Sequence, residues 1–222
     1  MIDLEPLALS FMVATVATAL AGVLGVALAG VLTLPRLFGR ELIDAAITAP
    51  MVLPPTVLGY YLLVALGRES ALGHAFEAAF GTPIVFSRGG AIVAATIGAL
   101  PLITKAARAA LESVDTRLVD AARTLGASSL RGFFRVSLPL ARRGIFAGVM
   151  LGFARALGDF GVTLMVAGNI PGRTRTASLA IYDAVLAGRD ADATRLSLIM
   201  TALAVLVLVV AGHLARSRSE RD

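Results

Sequence analysis

Five stretches of this chain are apolar over about the 20 residues that a helix needs to cross a lipid bilayer. They run over roughly 7–34, 43–66, 89–111, 144–167 and 196–215. Inside hydrocarbon every backbone N–H and C=O must be bonded within the protein, which leaves only helices and closed barrels. Runs of this length fit helices, so the expected class is an all-α integral membrane protein, a single transmembrane domain over 1–222 with about five spans. Composition agrees: 57% of the residues are hydrophobic and 16% charged, against roughly 25% charged in a soluble domain. A sixth apolar patch at 176–188 is too short to span and carries Asp183, so it is expected as a re-entrant or surface helix. The first ten residues, MIDLEPLALS, hold two acids and no base. A secretory leader would begin with positive charge and have a shorter core, so the first run is expected to be a retained span.

The polar residues exclude several kinds of chemistry. There is no cysteine, hence no disulfide and no thiolate metal site, and the two histidines, His74 and His213, lack metal-ligand neighbours at useful spacing. No catalytic constellation, bound cofactor or metal is expected. The formal charge of +5 would suggest nucleic acid in a soluble protein, but here the basic residues mark loop ends, and no nucleic acid is expected. Arg36, Arg40, the eight basic residues from Lys105 to Arg143, and Arg216, Arg218 and Arg221 fall on one side of the five spans. Arg68, Arg88, Arg173, Arg175, Arg189 and Arg195 fall on the other, and Arg155 lies inside a span. Because basic loops stay in the cytoplasm, this bias of 13 to 6 puts the N-terminus outside, the C-terminus inside, and residues 112–143 in the cytoplasm.

Two spans carry features that plain anchors do not need. The second contains Pro50, Pro54 and Pro55, and the third contains Pro101. Each proline removes a backbone donor and disturbs the preceding turn, which inside a membrane is tolerated only where the backbone is packed in protein or lines a cavity. Pro54 and Pro55, with Tyr60, are therefore candidates for a path or gate, the alternative being kinks for packing, which is the expectation for Pro101. In the fourth span Arg155 and Asp159 stand four apart, on one helix face. They form either a neutralising pair between helices or a point where Arg155 meets an anion in transit.

The segment between the third and fourth spans is polar. Ser113 or Asp115 can cap a helix that Gly126 ends, with Val114, Leu118, Ala122 and Leu125 as its apolar stripe. A second short helix begins behind Ser128 or Ser129, carries Phe133 and Phe134, and Pro139 leads into the fourth span. Such a segment could lie on the lipid surface or fill a partner's groove.

Its spacing resembles a known loop. Asp120-Ala121-Ala122, three residues, Gly126, nine residues, then Val136-x-Leu138-Pro139 is similar to the EAA loop of binding-protein-dependent ABC importer permeases. That pattern reads Glu-Ala-Ala, three residues, Gly, nine residues, Ile-x-Leu-Pro; Asp for Glu and Val for Ile are mild departures. The runs LPPTVLGYYLLVALGRES (53–70), RAALESVDTRLVDAARTLGAS (108–128) and FARALGDFGVTLMVAGNIPGRTRTASLAIYDAV (153–185) resemble the molybdate permeases, with sulfate and tungstate permeases as near relatives. GDFG at 158–161 stands where Glu-Phe-Gly is usual, while NIPGRTRT and Tyr60-Tyr61 favour molybdate.

The resemblance implies a type I ABC importer permease bundle in the cytoplasmic (inner) membrane. It also implies a homodimer, two cytoplasmic ATPases carrying ATP and Mg, and an external oxyanion-binding protein. Residues Asp120, Ala121, Ala122, Gly126, Val136, Leu138 and Pro139 would then dock on the ATPase. The chain has no G-x-x-x-x-G-K-[ST] phosphate loop of its own. An ion-coupled secondary transporter would be expected to have internal repeats and buried acids, and a membrane enzyme a cluster of His, Asp or Glu. Neither pattern occurs here. Arg173 and Arg175, on the outer side, could attract a dianion, pair with the binding protein, or be solvated.

Overall fold

The computed structural model describes residues 4–34 and 37–216, and within them helices are the only regular elements. Arg36, Arg218 and Arg221 of the basic count lie outside the described residues. Helix α1 spans Glu5–Leu32, α2 Arg40–Val52, α3 Pro55–Leu66, α4 Ala71–Phe80 and α5 Arg88–Glu112. Short α6 (Thr116–Thr124) and α7 (Ser129–Gly132) precede α8 (Leu138–Leu157), α9 (Gly161–Ala167), α10 (Ala177–Leu186) and α11 (Asp190–Arg216). Among the described residues four helical segments are long and apolar enough to cross a membrane, and five if the bent pair α2 and α3 is one span.

Small residues make the core. Ala14, Ala17 and Ala21 of α1, Ala91, Ala95 and Ala99 of α5, and Ala156 of α8 are buried in one cluster with Ile103, Phe153 and Leu157. Lipid is as apolar as leucine, so helices in a bilayer associate through close packing, which short side chains allow. The tightest seam is a row on α8. A Cβ on Gly144 would lie 2.6 Å from the Ala110 Cβ, one on Gly148 2.5 Å from the Ala106 Cβ, and one on Gly152 2.5 Å from Ile103 Cδ1. Met200, Leu203 and Val207 of α11 pack against the same core.

Two expected spans are broken. The second, 43–66, is two helices meeting at 113°, with Leu53 and Pro54 outside helical geometry and Pro55 starting the new helix. Pro54 and Pro55 cannot donate to the preceding turn, and the residue before a proline avoids helical geometry, so the chain turns there, while Pro50 stays inside α2. The fourth expected span, 144–167, is also corrected. One 29-residue helical segment runs from Ser129 to Leu157, the chain opens at Gly158–Phe160, and α9 follows. Within that segment Phe133–Ser137 is wound as a π-helix. Pro139 has no N–H for the Arg135 carbonyl and its ring crowds it, and a wider turn accommodates this without ending the helix. Pro101 is buried inside an unbroken α5. The 176–188 patch forms the ten-residue α10, whose Ala177, Leu179, Ala180 and Ala184 are buried and whose first N–H, that of Ala177, donates to Ser10 Oγ of α1 at 2.8 Å.

Candidate functional site: a capped helix on a charged brace, and a double helix break

The insert is built from local capping. Asp115 Oδ1 accepts the Arg117 N–H at 2.9 Å, satisfying one of the free donors at the start of α6. At the other end the Gly126 N–H donates to Arg123 O at 2.9 Å and the Ala127 N–H to Ala122 O at 3.0 Å, the pair of bonds that closes a Schellman motif. Gly126 takes φ +83°, and a Cβ there would meet no atom within 4 Å. Ser128 Oγ then accepts from the Arg131 N–H at 3.4 Å to start α7, as its position predicts. No residue of α6 is buried; Leu118 is exposed, and Leu125 beyond it is 89% exposed. Of the expected stripe, Leu118 and Leu125 are thus presented outward and Ala122 is half-buried, whereas Val114, just before α6, packs against the bundle. The firm attachment lies further on. The Phe133 ring sits over Gly30 of α1, where a Cβ would be 3.0 Å from it, and packs against Ala29, Ala107, Leu111 and Ala141.

A five-residue charge network braces the same end of the bundle. Glu112, the last residue of α5, accepts from Arg40 Nη2 at 2.9 Å and from Arg108 Nε at 2.8 Å. Asp44 of α2 accepts from Lys105 Nζ at 2.7 Å and lies 3.3 Å from Arg108 Nη1. Helix α2 buries little of its own, with Ile47 its one buried residue, so these pairs are its main attachment to α5, whose end lies three residues upstream of the Asp115 cap. Removing Asp44 is expected to loosen α2. In this naturally cysteine-free chain, Asp44→Ala should speed alkylation of an Ile47→Cys probe about two- to five-fold, as befits partly exposed pairs. A rate equal to that of Ile47→Cys alone would show that the brace holds nothing.

The two breaks meet. Helix α3 packs on α9 through Gly59, where a Cβ would lie 2.6 Å from Met165 Cβ, and Gly161 faces Pro55, where it would lie 2.7 Å from Pro55 Cβ. Asp159 is buried at the opening between α8 and α9. Its Oδ1 accepts from Arg155 Nη1 at 2.9 Å, and its Oδ2 from the Thr163 N–H at 3.0 Å and the Thr163 hydroxyl at 2.6 Å. The spacing predicts the pair with Arg155, but Asp159 also caps the next helix, which a continuous span would not need. Of the five candidate path residues, Pro54, Pro55, Arg155 and Asp159 flank the two breaks, whereas Tyr60 is exposed, about 100° round α3 from buried Gly59. At the far end of the bundle, Arg175 is spent on Asn169 Oδ1 at 2.9 Å and on Asp183 at 3.4 Å. Arg173 is exposed and lines an open cleft of about 510 Å³ with Phe76, Phe80 and Arg88.

Residues 21–222 match the family described as binding-protein-dependent transport system inner membrane component. The chain belongs to that family. Among its relatives, the molybdenum transport system permease protein ModB of Escherichia coli K12 is 45% identical over 184 residues, covering 82% of this chain and 80% of the relative. The ModB of Haemophilus influenzae is 39% identical over 199 residues, covering 89% and 87%. The probable sulfate transport system permease protein cysT of Chlorokybus atmophyticus is 38% identical over 183 residues, covering 80% and 64%. Of solved structures, the inward-facing MetNI methionine ABC transporter matches with a TM-score of 0.76 at 17% identity, covering 96% of this chain and 94% of that one. An alginate-importing bacterial ABC transporter matches with a TM-score of 0.77 at 15% identity, covering 97% and 79%. At such identities the likeness is one of fold; it is the family match and the ModB relatives that make this chain an ABC importer permease of the inner membrane, a transport component rather than an enzyme. The row Gly144, Gly148, Gly152 and the brace around Asp44 were not anticipated from the sequence. The glycine period of four was there to be read; the brace joins residues 61 and 72 apart, beyond the reach of any local pattern.

Proposed function

We propose that this permease is the membrane subunit of an ATP-driven molybdate importer, in which two copies enclose the path and residues 112–143 dock on a cytoplasmic ATPase. The observation that carries the coupling role is α6: a helix capped at both ends yet unburied, joined directly to the braced end of α5 and, through Phe133, to α1 and α8. A helix held in shape but not packed on its own protein suits a partner's groove. Molybdate follows from the relatives' names, and sulfate is the second reading, favoured by the 38% identity to a sulfate permease. Counting α2 and α3 as one broken span gives five, which would put the two termini on opposite faces, and the basic loops favour the N-terminus outside and the coupling segment inside.

In this reading ATP closes the two ATPases, draws the coupling helices together, and turns a bistable dimer outward to receive the oxyanion from the binding protein. The chain's own parts divide the work. Asp120 to Gly126 make the knob; Val136, Leu138 and Pro139 carry it into α8; and the brace passes motion from α5 to α2. The 113° bend at Pro54 and the opening at Asp159 are the joints that move, with Tyr60 on the gate helix. Purifying the chain with its ATPase tests the assembly. The expected result is a complex holding two copies of each, whose ATP hydrolysis rises when loaded binding protein is added. Hydrolysis indifferent to the binding protein would count against it.

A further inference from the structure

Arg155 is placed where a lone cation is costly. It lies within the fourth expected span, yet 37% of its side chain is exposed, while its partner Asp159 is 3% exposed. Asp159 has both oxygens engaged, in three hydrogen bonds. Arg155 is not so fully engaged: a guanidinium carries five donors, and among the described residues its one hydrogen-bond partner is Asp159. Across from it Gly98 of α5 has no side chain. A Cβ there would lie 3.6 Å from Arg155 Nη2 and 3.8 Å from Asp159 Oδ1, so the guanidinium rests against bare backbone with its remaining edge outward.

A charged group with unspent donors is not left against hydrocarbon; within a span it faces a bundle interior or water. Its planar fork fits two oxygens of an oxyanion at once. Asp159 keeps the local charge near neutral, which suits a transit point, where binding must be weak enough to release. We propose that Arg155 is the transient contact for the tetrahedral oxyanion inside the membrane, and that Asp159 and Thr163 are positioning residues that turn its free edge to the path. The inference rests on the transport reading above.

The test uses the whole complex in vesicles, with labelled molybdate or sulfate outside, and reads uptake and binding-protein-stimulated ATP hydrolysis together. Arg155→Gln is expected to lower uptake about tenfold or more, the scale of one charge-assisted hydrogen bond, while the ATPases still respond to the binding protein. Arg155→Lys should retain part of the uptake with an altered preference between the two anions, because a point charge lacks the fork. Wild-type uptake by Arg155→Gln, or uptake and stimulated hydrolysis falling in step as they would for a packing residue, overturns the proposal. If Arg155→Gln does not fold, Thr163→Val, which keeps both charges, takes its place: uptake lost with hydrolysis retained supports the positioning role, and equal loss of both overturns it. Failure of the unaltered chain to move either anion would instead bring down the transport reading itself.

Discussion

Gly126→Val is expected to leave the chain inserted and bound to its ATPase while lowering substrate uptake about 5- to 30-fold, the population change that 1–2 kcal/mol brings. The cause is the backbone alone. At φ +83° no atom lies within 4 Å of the site a Cβ would occupy, so valine meets no clash, but a left-handed conformation costs an ordinary residue about 1–2 kcal/mol and a β-branched one is a poor fit there. The chain relieves this by releasing the bonds to Arg123 and Ala122, and α6 then no longer leaves α7 at a fixed angle. Gly126→Asn, which tolerates the left-handed region, should retain most uptake. Gly132→Ala, also without a neighbour within 4 Å but in ordinary helical geometry, should behave as the unaltered protein. Measuring uptake alongside ATP hydrolysis separates the outcomes: valine should hydrolyse without transporting. A valine variant that transports normally would remove the support for α6 as the coupling element.

Gly148→Leu is expected to act earlier, on the bundle itself. A Cβ there would lie 2.5 Å from the Ala106 Cβ and 3.7 Å from the Ile103 carbonyl, so even the first carbon forces α8 from α5, and the remaining three enlarge the gap. Overpacking of this kind costs about 1–3 kcal/mol or more. At roughly 2–4 °C per kcal/mol for a chain of this size, the melting temperature in detergent should fall by about 2–12 °C, with little protein left in the membrane. Gly22→Ala is the control, since its Cβ would sit 3.8 Å from Val149 Cγ2, an ordinary contact. Equal melting temperatures for both variants would mean that the α5–α8 seam is not where the bundle is held.

How far the sequence reveals this molecule depends on the range of each interaction. Asp115, Gly126 and Ser128 act on backbone groups within three residues of themselves, and their caps lie where the sequence puts them. Pro54 announces a disturbance in the second span, but not its size: the 113° bend depends on α3 packing through Gly59 onto Met165, more than 100 residues away in the chain. Asp159 was legible as half of a pair with Arg155 because both lie on one helical face. Its second task, capping α9 through Thr163, was hidden by the apolar run that continues past it, since hydropathy registers length and not continuity. Arg108 and Glu112 could be paired from their spacing of four, whereas Arg40, Asp44 and Lys105 join them only once α2 has folded back beside α5.

The most direct measurement is ATP-dependent uptake of labelled molybdate by vesicles holding this chain with its ATPase and binding protein, challenged with excess sulfate and then tungstate. The account predicts uptake that requires ATP and withstands sulfate. Uptake abolished by sulfate would contradict the molybdate assignment and move the chain to the sulfate branch, and no ATP-dependent uptake of any of the three by a verified complex would contradict the oxyanion reading altogether.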